Sequence, residues 1–166
     1  MVVGTSNETA EFAVAAIRCW WVHVGRHAYP KAPRLAIEAD GGGANGNRRW
    51  DWKAGLQRLA DEFGLTITVG HFPAAASKWN PIEHRMFSLI SSNWAGEPLV
   101  SYDTVLKFIR STRSTTGFRC RACLDRTVYA TKIKVSKEER ATVKLSHHAV
   151  LPKWNYTIRP RCRKNR

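Results

Sequence analysis

The chain has 166 residues, 43% of them apolar, with 27 Lys and Arg against 13 Asp and Glu for a net charge of +14. That composition is enough for one globular core. It contains no stretch near the roughly 20 uninterrupted apolar residues of a membrane span, and Ser6-Asn7-Glu8 interrupts any signal-peptide core. Charge is divided unevenly: residues 1–100 carry 10 basic and 9 acidic side chains, and residues 101–166 carry 17 and 4. A polyanion partner fits the basic third, because each phosphate that meets a Lys or Arg releases counterions.

In chain order, Met1 to Thr5 reads as the tail of a strand, and Ser6-Asn7 as the cap of a helix from Glu8 to about Gly25. Ala13, Ala16, Ile17, Trp20, Trp21 and Val24 recur at three and four and predict one buried stripe with both tryptophans in the core. Arg34 to Ala39 reads as a short strand with Asp40 at its C-terminal end, followed by the glycine loop Gly41-Gly42-Gly43-Ala44-Asn45-Gly46. A second helix is predicted over about Trp50 to Phe63, with Gly64 as its left-handed terminator, and Leu65 to Val69 as the next strand. His71 to Trp79 is read as a loop. Asn80 then caps a third helix, Pro81 takes its first position and Glu83 its third, with Met86, Phe87, Ile90 and Trp94 following.

A helix after Ser101 directs Val105, Phe108 and Ile109 inward. Strands are predicted over Gly117 to Leu124, Lys132 to Val135 and Trp154 to Ile158, with a helix capped by Ser136 and Glu139 at its third position. Alternating strands and helices over Met1 to Trp94 argue an α/β fold with helices on a mainly parallel sheet. Ligands in such folds sit beyond the carboxyl ends of strands, where Asp40 is placed. Cys19, Cys120, Cys123 and Cys162 are expected as free thiols. In a strand Cys120 and Cys123 point to opposite faces, so a zinc knuckle completed by His147 and His148 is not expected.

Three ordered blocks carry a resemblance. Ile37 to Gly46, His71-Phe72-Pro73 with Ser77 to Arg85, and Trp154 to Pro160 closely resemble the Rhodopirellula-type DDE transposases of bacterial insertion sequences, over about Thr5 to Pro160. The resemblance implies an RNase H-like mixed sheet with flanking helices, here N-terminally truncated and followed by a small basic α+β extension. It divides the chain into a partial catalytic core at 1–100, a basic part of the same domain at 101–160 and a basic tail at 161–166. It also implies Asp40 and Glu83 as the second and third catalytic acids and as ligands of two Mg²⁺ or Mn²⁺ ions. The chemistry agrees, since two hard cations clamping the entering and leaving oxygens of a phosphodiester need rigidly mounted carboxylates. Asn45, His71, Lys78, Asn80 and Arg85 are candidate DNA contacts beside that centre. Expected partners are transposon-end and target DNA, in the cytoplasm at the nucleoid, with no membrane.

In that family the first catalytic Asp lies on the opening strand, two strands before the segment matching Met1 to Thr5. Glu8, Glu11 and Glu38 do not fill its position. The expectation is therefore a C-terminal fragment, inactive alone, whose exposed sheet edge pairs with itself or with an intact transposase. The competing reading is a non-catalytic basic DNA-binding protein, acting as a dominant-negative partner of an intact copy.

Overall fold

The computed structural model describes every residue except Ala74, Ala75, Ser77, Lys78 and 162–166, and for Glu83 it describes the backbone alone. In chain order the elements are β1 (Val2–Gly4), α1 (Ala10–Trp20), β2 (Arg34–Ala39), α2 (Trp50–Phe63) and β3 (Thr66–His71). There follow α3 (Ser88–Asn93), α4 (Tyr102–Ser111), β4 (Cys123–Asp125), α5 (Lys137–Thr142), β5 (Leu145–His147) and β6 (Asn155–Ile158). They form two compact units interleaved in sequence, one of residues 7–74 with 129–166 and one of residues 1–6 with 75–128.

The larger unit holds a four-stranded sheet in the order β2-β3-β6-β5. Only β2 and β3 run parallel; β6 is antiparallel to both β3 and β5. The α/β expectation holds, but the sheet is mixed rather than mainly parallel, and β1 is not part of it. Register explains its sidedness. Leu35, Ile67 and Ile158 are in line across the strands, as are Ile37, Val69 and Tyr156, so their side chains share one face. That face packs against Trp21 from the helix that begins with α1 and Trp52, Leu56, Leu59 and Ala60 from α2. The opposite face carries Ala36, Thr68 and Thr157 in line, with the two threonine hydroxyls 3.1 Å apart.

α1 starts two residues later than predicted, at Ala10, behind Thr9 as its cap, whose hydroxyl accepts from Phe12 N at 3.2 Å. Ser6 and Asn7 do not cap it, because their side chains donate instead to the carbonyls of Thr127 and Tyr129. After Trp20 the helix widens into a π-helical turn, Trp21–Gly25, before a last helical piece, Arg26–Ala28. The wide turn shifts the phase of the apolar stripe. Trp21 is 6% exposed, whereas Trp20 and Val24, predicted beside it in the core, are 39% and 36% exposed.

Gly64 ends α2 with φ +67, as its place after the apolar run predicts. Ser136 caps α5 by accepting from Glu139 N at 3.1 Å. Two predicted strands are corrected. Residues 132–135 pair with no strand, since Lys132 takes φ +60 and breaks the extended run, leaving Val135 as a buried anchor. The strand predicted from Gly117 is instead a tight hairpin followed by a three-residue strand, β4, because Gly117 at φ +91 closes a turn onto Ser114. β5 had no sequence signal, as three residues are too few to show alternation.

In the smaller unit β1 pairs parallel with β4, Val2 opposite Cys123 and Gly4 opposite Asp125. Ser101 caps α4 through Thr104 N, and Leu106 and Ile109 are its buried residues, with Val105 and Phe108 half-buried. Asn93, at the end of α3, donates to Phe108 O at 2.7 Å, Ser111 Oγ at 2.9 Å and Thr112 Oγ1 at 3.3 Å, tying α3 to the end of α4. Among the described residues no helix is long and apolar enough to cross a membrane.

Gln57 joins α2 to the sheet. It is 2% exposed, its Nε2 donates to Arg159 O and Asp61 Oδ1 at 2.9 Å, and its Oε1 accepts from Lys144 N at 2.7 Å. Replacing it removes partners from main-chain groups on both sides. Gln57→Leu is expected to cost about 2 kcal/mol in urea unfolding; an unchanged midpoint counts against this role.

Candidate active site

Asp40 is exposed at the carboxyl end of β2, where the chain leaves the sheet through Gly41 and Gly42 into a single 3₁₀ turn, Gly43–Asn45. The glycines have separate reasons. A Cβ on Gly41 would lie 2.6 Å from Trp154 Cζ3 and 2.9 Å from Phe72 O, and Gly43 takes φ +64. The turn returns Asn45 toward the strand end. With its side-chain amide oriented to satisfy both atoms, Asn45 Nδ2 donates to Asp40 Oδ1 at 2.8 Å and to Gly42 O at 3.0 Å. This aims one carboxylate oxygen and occupies it, a charge-assisted bond that orients the group without neutralising it.

Behind the loop runs a chain of buried hydrogen bonds. Trp52 Nε1 and Tyr156 Oη are 2.9 Å apart, Tyr156 Oη and His71 Nε2 3.1 Å, and His71 Nδ1 and Asp40 O 2.9 Å. Donor chemistry fixes its direction. Indole only donates and a carbonyl only accepts, so His71 carries its proton on Nδ1 and Nε2 accepts from the tyrosine hydroxyl. Trp52, Tyr156 and His71 are 1%, 0% and 6% exposed. Burial pushes His71 below its usual range; the Asp40 carbonyl opposes this, while the Lys53 charge adds to it. Burial also holds the Tyr156 hydroxyl well above its usual range, against the donor from Trp52. Lys53 Nζ lies 5.0 Å from the Trp50 ring and 5.2 Å from the Tyr156 ring, and burial lowers its pKa too.

His71, predicted in a loop beside phosphate, is thus the last residue of β3 with both ring nitrogens engaged in the interior. Asn45, also predicted to meet DNA, is engaged with Asp40. Trp52, Tyr156 and Trp154 were not singled out as site residues. Alternation in the Trp154 to Ile158 stretch, which directs Tyr156 to the core face, was the available signal. Two of the three sequence blocks and the start of the remaining one therefore converge on the strand ends around Asp40: Gly41 meets Trp154, and His71 meets Tyr156.

Glu83 lies in the other unit, at the start of a π-helical stretch, Glu83–Phe87, that runs into α3. The expected regular α-helical turn is replaced by this wider one, a form found often at functional sites. Asn80 Oδ1 accepts from Ile82 N at 3.2 Å, so Asn80 does cap the helix start. His84 and Arg85 are exposed on the same stretch. Lys78 lies outside the described residues. Among the described residues no three His, Cys, Asp or Glu side chains gather as a ready-made metal cluster.

A family model described as the Rhodopirellula transposase DDE domain matches residues 1–160. No curated protein and no solved structure matches the chain.

Two outcomes follow from the buried chain. Tyr156→Phe removes the hydroxyl between Trp52 and His71, and is expected to cost about 1–3 kcal/mol in denaturant unfolding; a neutral substitution contradicts the geometry. Because the folded-state pKa of His71 is lowered, the unfolded chain takes up this proton first as pH falls. Its contribution to stability is complete above the ordinary histidine value and declines as pH falls below it toward the folded value. Melting profiles of His71→Asn should be flatter than wild type across mildly acidic pH, and parallel profiles would refute the assignment.

Proposed function

The chain belongs to the Rhodopirellula transposase DDE-domain family, and from that premise we propose that it is a DNA transposase domain in which Asp40 and Glu83 supply two of three catalytic carboxylates. The single observation that carries the reading is Asp40 itself: an exposed carboxylate at a strand end, one oxygen fixed by Asn45 and its carbonyl fixed by a buried donor. Such a group is a preorganised ligand for a hard divalent cation. Mg²⁺ or Mn²⁺ bound there would stabilise charge on the phosphoryl oxygens during cleavage and strand transfer. The parallel β2–β3 pair, with Asp40 at its end, suits an RNase H-like core.

What the chain's own residues do in this reading is positional. Asn45 and His71 hold the side chain and main chain of Asp40, Asn80 fixes the start of the Glu83 turn, and Arg85, exposed two residues after Glu83, is a candidate contact for backbone phosphates. The site of action is the cytoplasm, at the nucleoid. The first acid of the family has no counterpart among Glu8, Glu11 and Glu38, so the complete centre draws its remaining carboxylate from outside these positions. That lack, with the basic excess of residues 101–166, also favours a second reading, in which the chain binds DNA without cutting it and competes with an intact transposase.

Manganese binding followed by electron paramagnetic resonance is expected to weaken about tenfold in Asp40→Asn, the loss of one charged ligand being worth at least 1.4 kcal/mol. Unchanged affinity in that variant removes Asp40 from the centre. The chain alone is expected not to join transposon-end DNA to a target. Nicking of end-bearing DNA in Mn²⁺ that Asp40→Ala abolishes would show that it is competent unaided.

A further inference from the structure

Resting on the DNA reading above, we infer that the hairpin of residues 112–120 is a second DNA-contact element, gripping the phosphodiester backbone through Arg113 and Arg119. These two residues face each other directly as an antiparallel bridge, both exposed. Like charges placed opposite each other across such a pair destabilise it. Neither guanidinium has a hydrogen-bond or ion-pair partner among the described residues. Ordinary solvated surface charge has no reason to be opposed this way on so short a hairpin. A polyanion laid across both arginines would turn the repulsion into binding energy.

The hairpin is also built to hold its place. Ser114 N donates to Phe118 O and Gly117 N to Ser114 O, and the Ser114 hydroxyl takes the Phe118 N–H, leaving a turn rich in hydroxyls. Its first residue, Thr112, is 1% exposed and is hydrogen-bonded to Asn93 of α3. α3 continues the stretch that begins at Glu83, so the arginine pair is anchored to the element carrying that acid. Between the two lies a groove lined by His84, Arg85, Leu89, Ser114, Thr116 and Phe118. A strand of DNA seated in it would meet Arg85 at one wall and the hydroxyl turn at the other. Phosphate is the occupant this chemistry selects, as guanidinium and hydroxyl donors line the groove and its walls hold no carboxylate among the described side chains.

The test is the salt dependence of binding to a labelled random-sequence DNA duplex, with wild type and the Arg113→Ser/Arg119→Ser variant. The variant should melt no lower than wild type, bind about tenfold more weakly at low salt, and show a log–log salt slope shallower by about 2. Should the double variant melt early, Arg119→Ser alone, with a slope shallower by about 1, and Arg113→Lys/Arg119→Lys, with an unchanged slope, decide the matter. Wild-type DNA binding with a slope indifferent to the arginines overturns the hairpin and leaves the transposase reading standing. No DNA binding by wild type overturns both. Displacement by polyglutamate as readily as by unlabelled DNA overturns nucleic acid as the occupant.

Discussion

The hydrogen bond from His71 Nδ1 to the Asp40 carbonyl is the constraint on which the candidate centre depends. A glycine-rich loop is the softest kind of chain, and an acid at its mouth would ordinarily sample many orientations. Here the loop's first residue is tied to the interior by a histidine. That histidine is oriented by a tyrosine, and the tyrosine by a tryptophan on the helix covering the sheet. Each donor in the series has one acceptor, so the arrangement has one satisfied state. An unpaired group within it would cost as much as several surface contacts contribute.

The surrounding charges reinforce that state. Lys53 is held among aromatic rings rather than beside a carboxylate, and its charge together with burial keeps His71 neutral. A neutral imidazole is the form that can accept from Tyr156 while donating to Asp40. Asn45 then completes the mount from the solvent side. The same logic of spending side chains on orientation appears in the smaller unit, where Asn93 makes three hydrogen bonds to the end of α4. Asp61 is a further case: burial raises its pKa, but donors from Arg161 and Gln57 outweigh this and hold its carboxyl below the usual range.

Much of this was legible in the sequence where one local rule dominates. The Gly64 terminator, the helix after Ser101, the Ser136 cap, the β2 strand and the position of Asp40 all follow from a residue and its immediate neighbours. Features set by distant partners were not. The predicted stripe includes Trp20 and Val24, yet both are exposed, and nothing within that helix announces the wide turn at Trp21–Gly25. Ser6 and Asn7 have ideal capping chemistry but are drawn to carbonyls more than a hundred residues away. His71 looked like a loop residue because Gly70 and Pro73 flank it, whereas pairing with β2 extends β3 through it. The resemblance proposes the acids; the reason His71 and Tyr156 accompany Asp40 emerges only when strands β3 and β6 are placed side by side.

The proposed transposase chemistry needs a divalent cation held at Asp40. Crystals soaked in Mn²⁺ and measured at the manganese absorption edge would test it directly. The expected result is an anomalous peak coordinated by the Asp40 carboxylate. An Asp40 carboxylate with no peak beside it would contradict it.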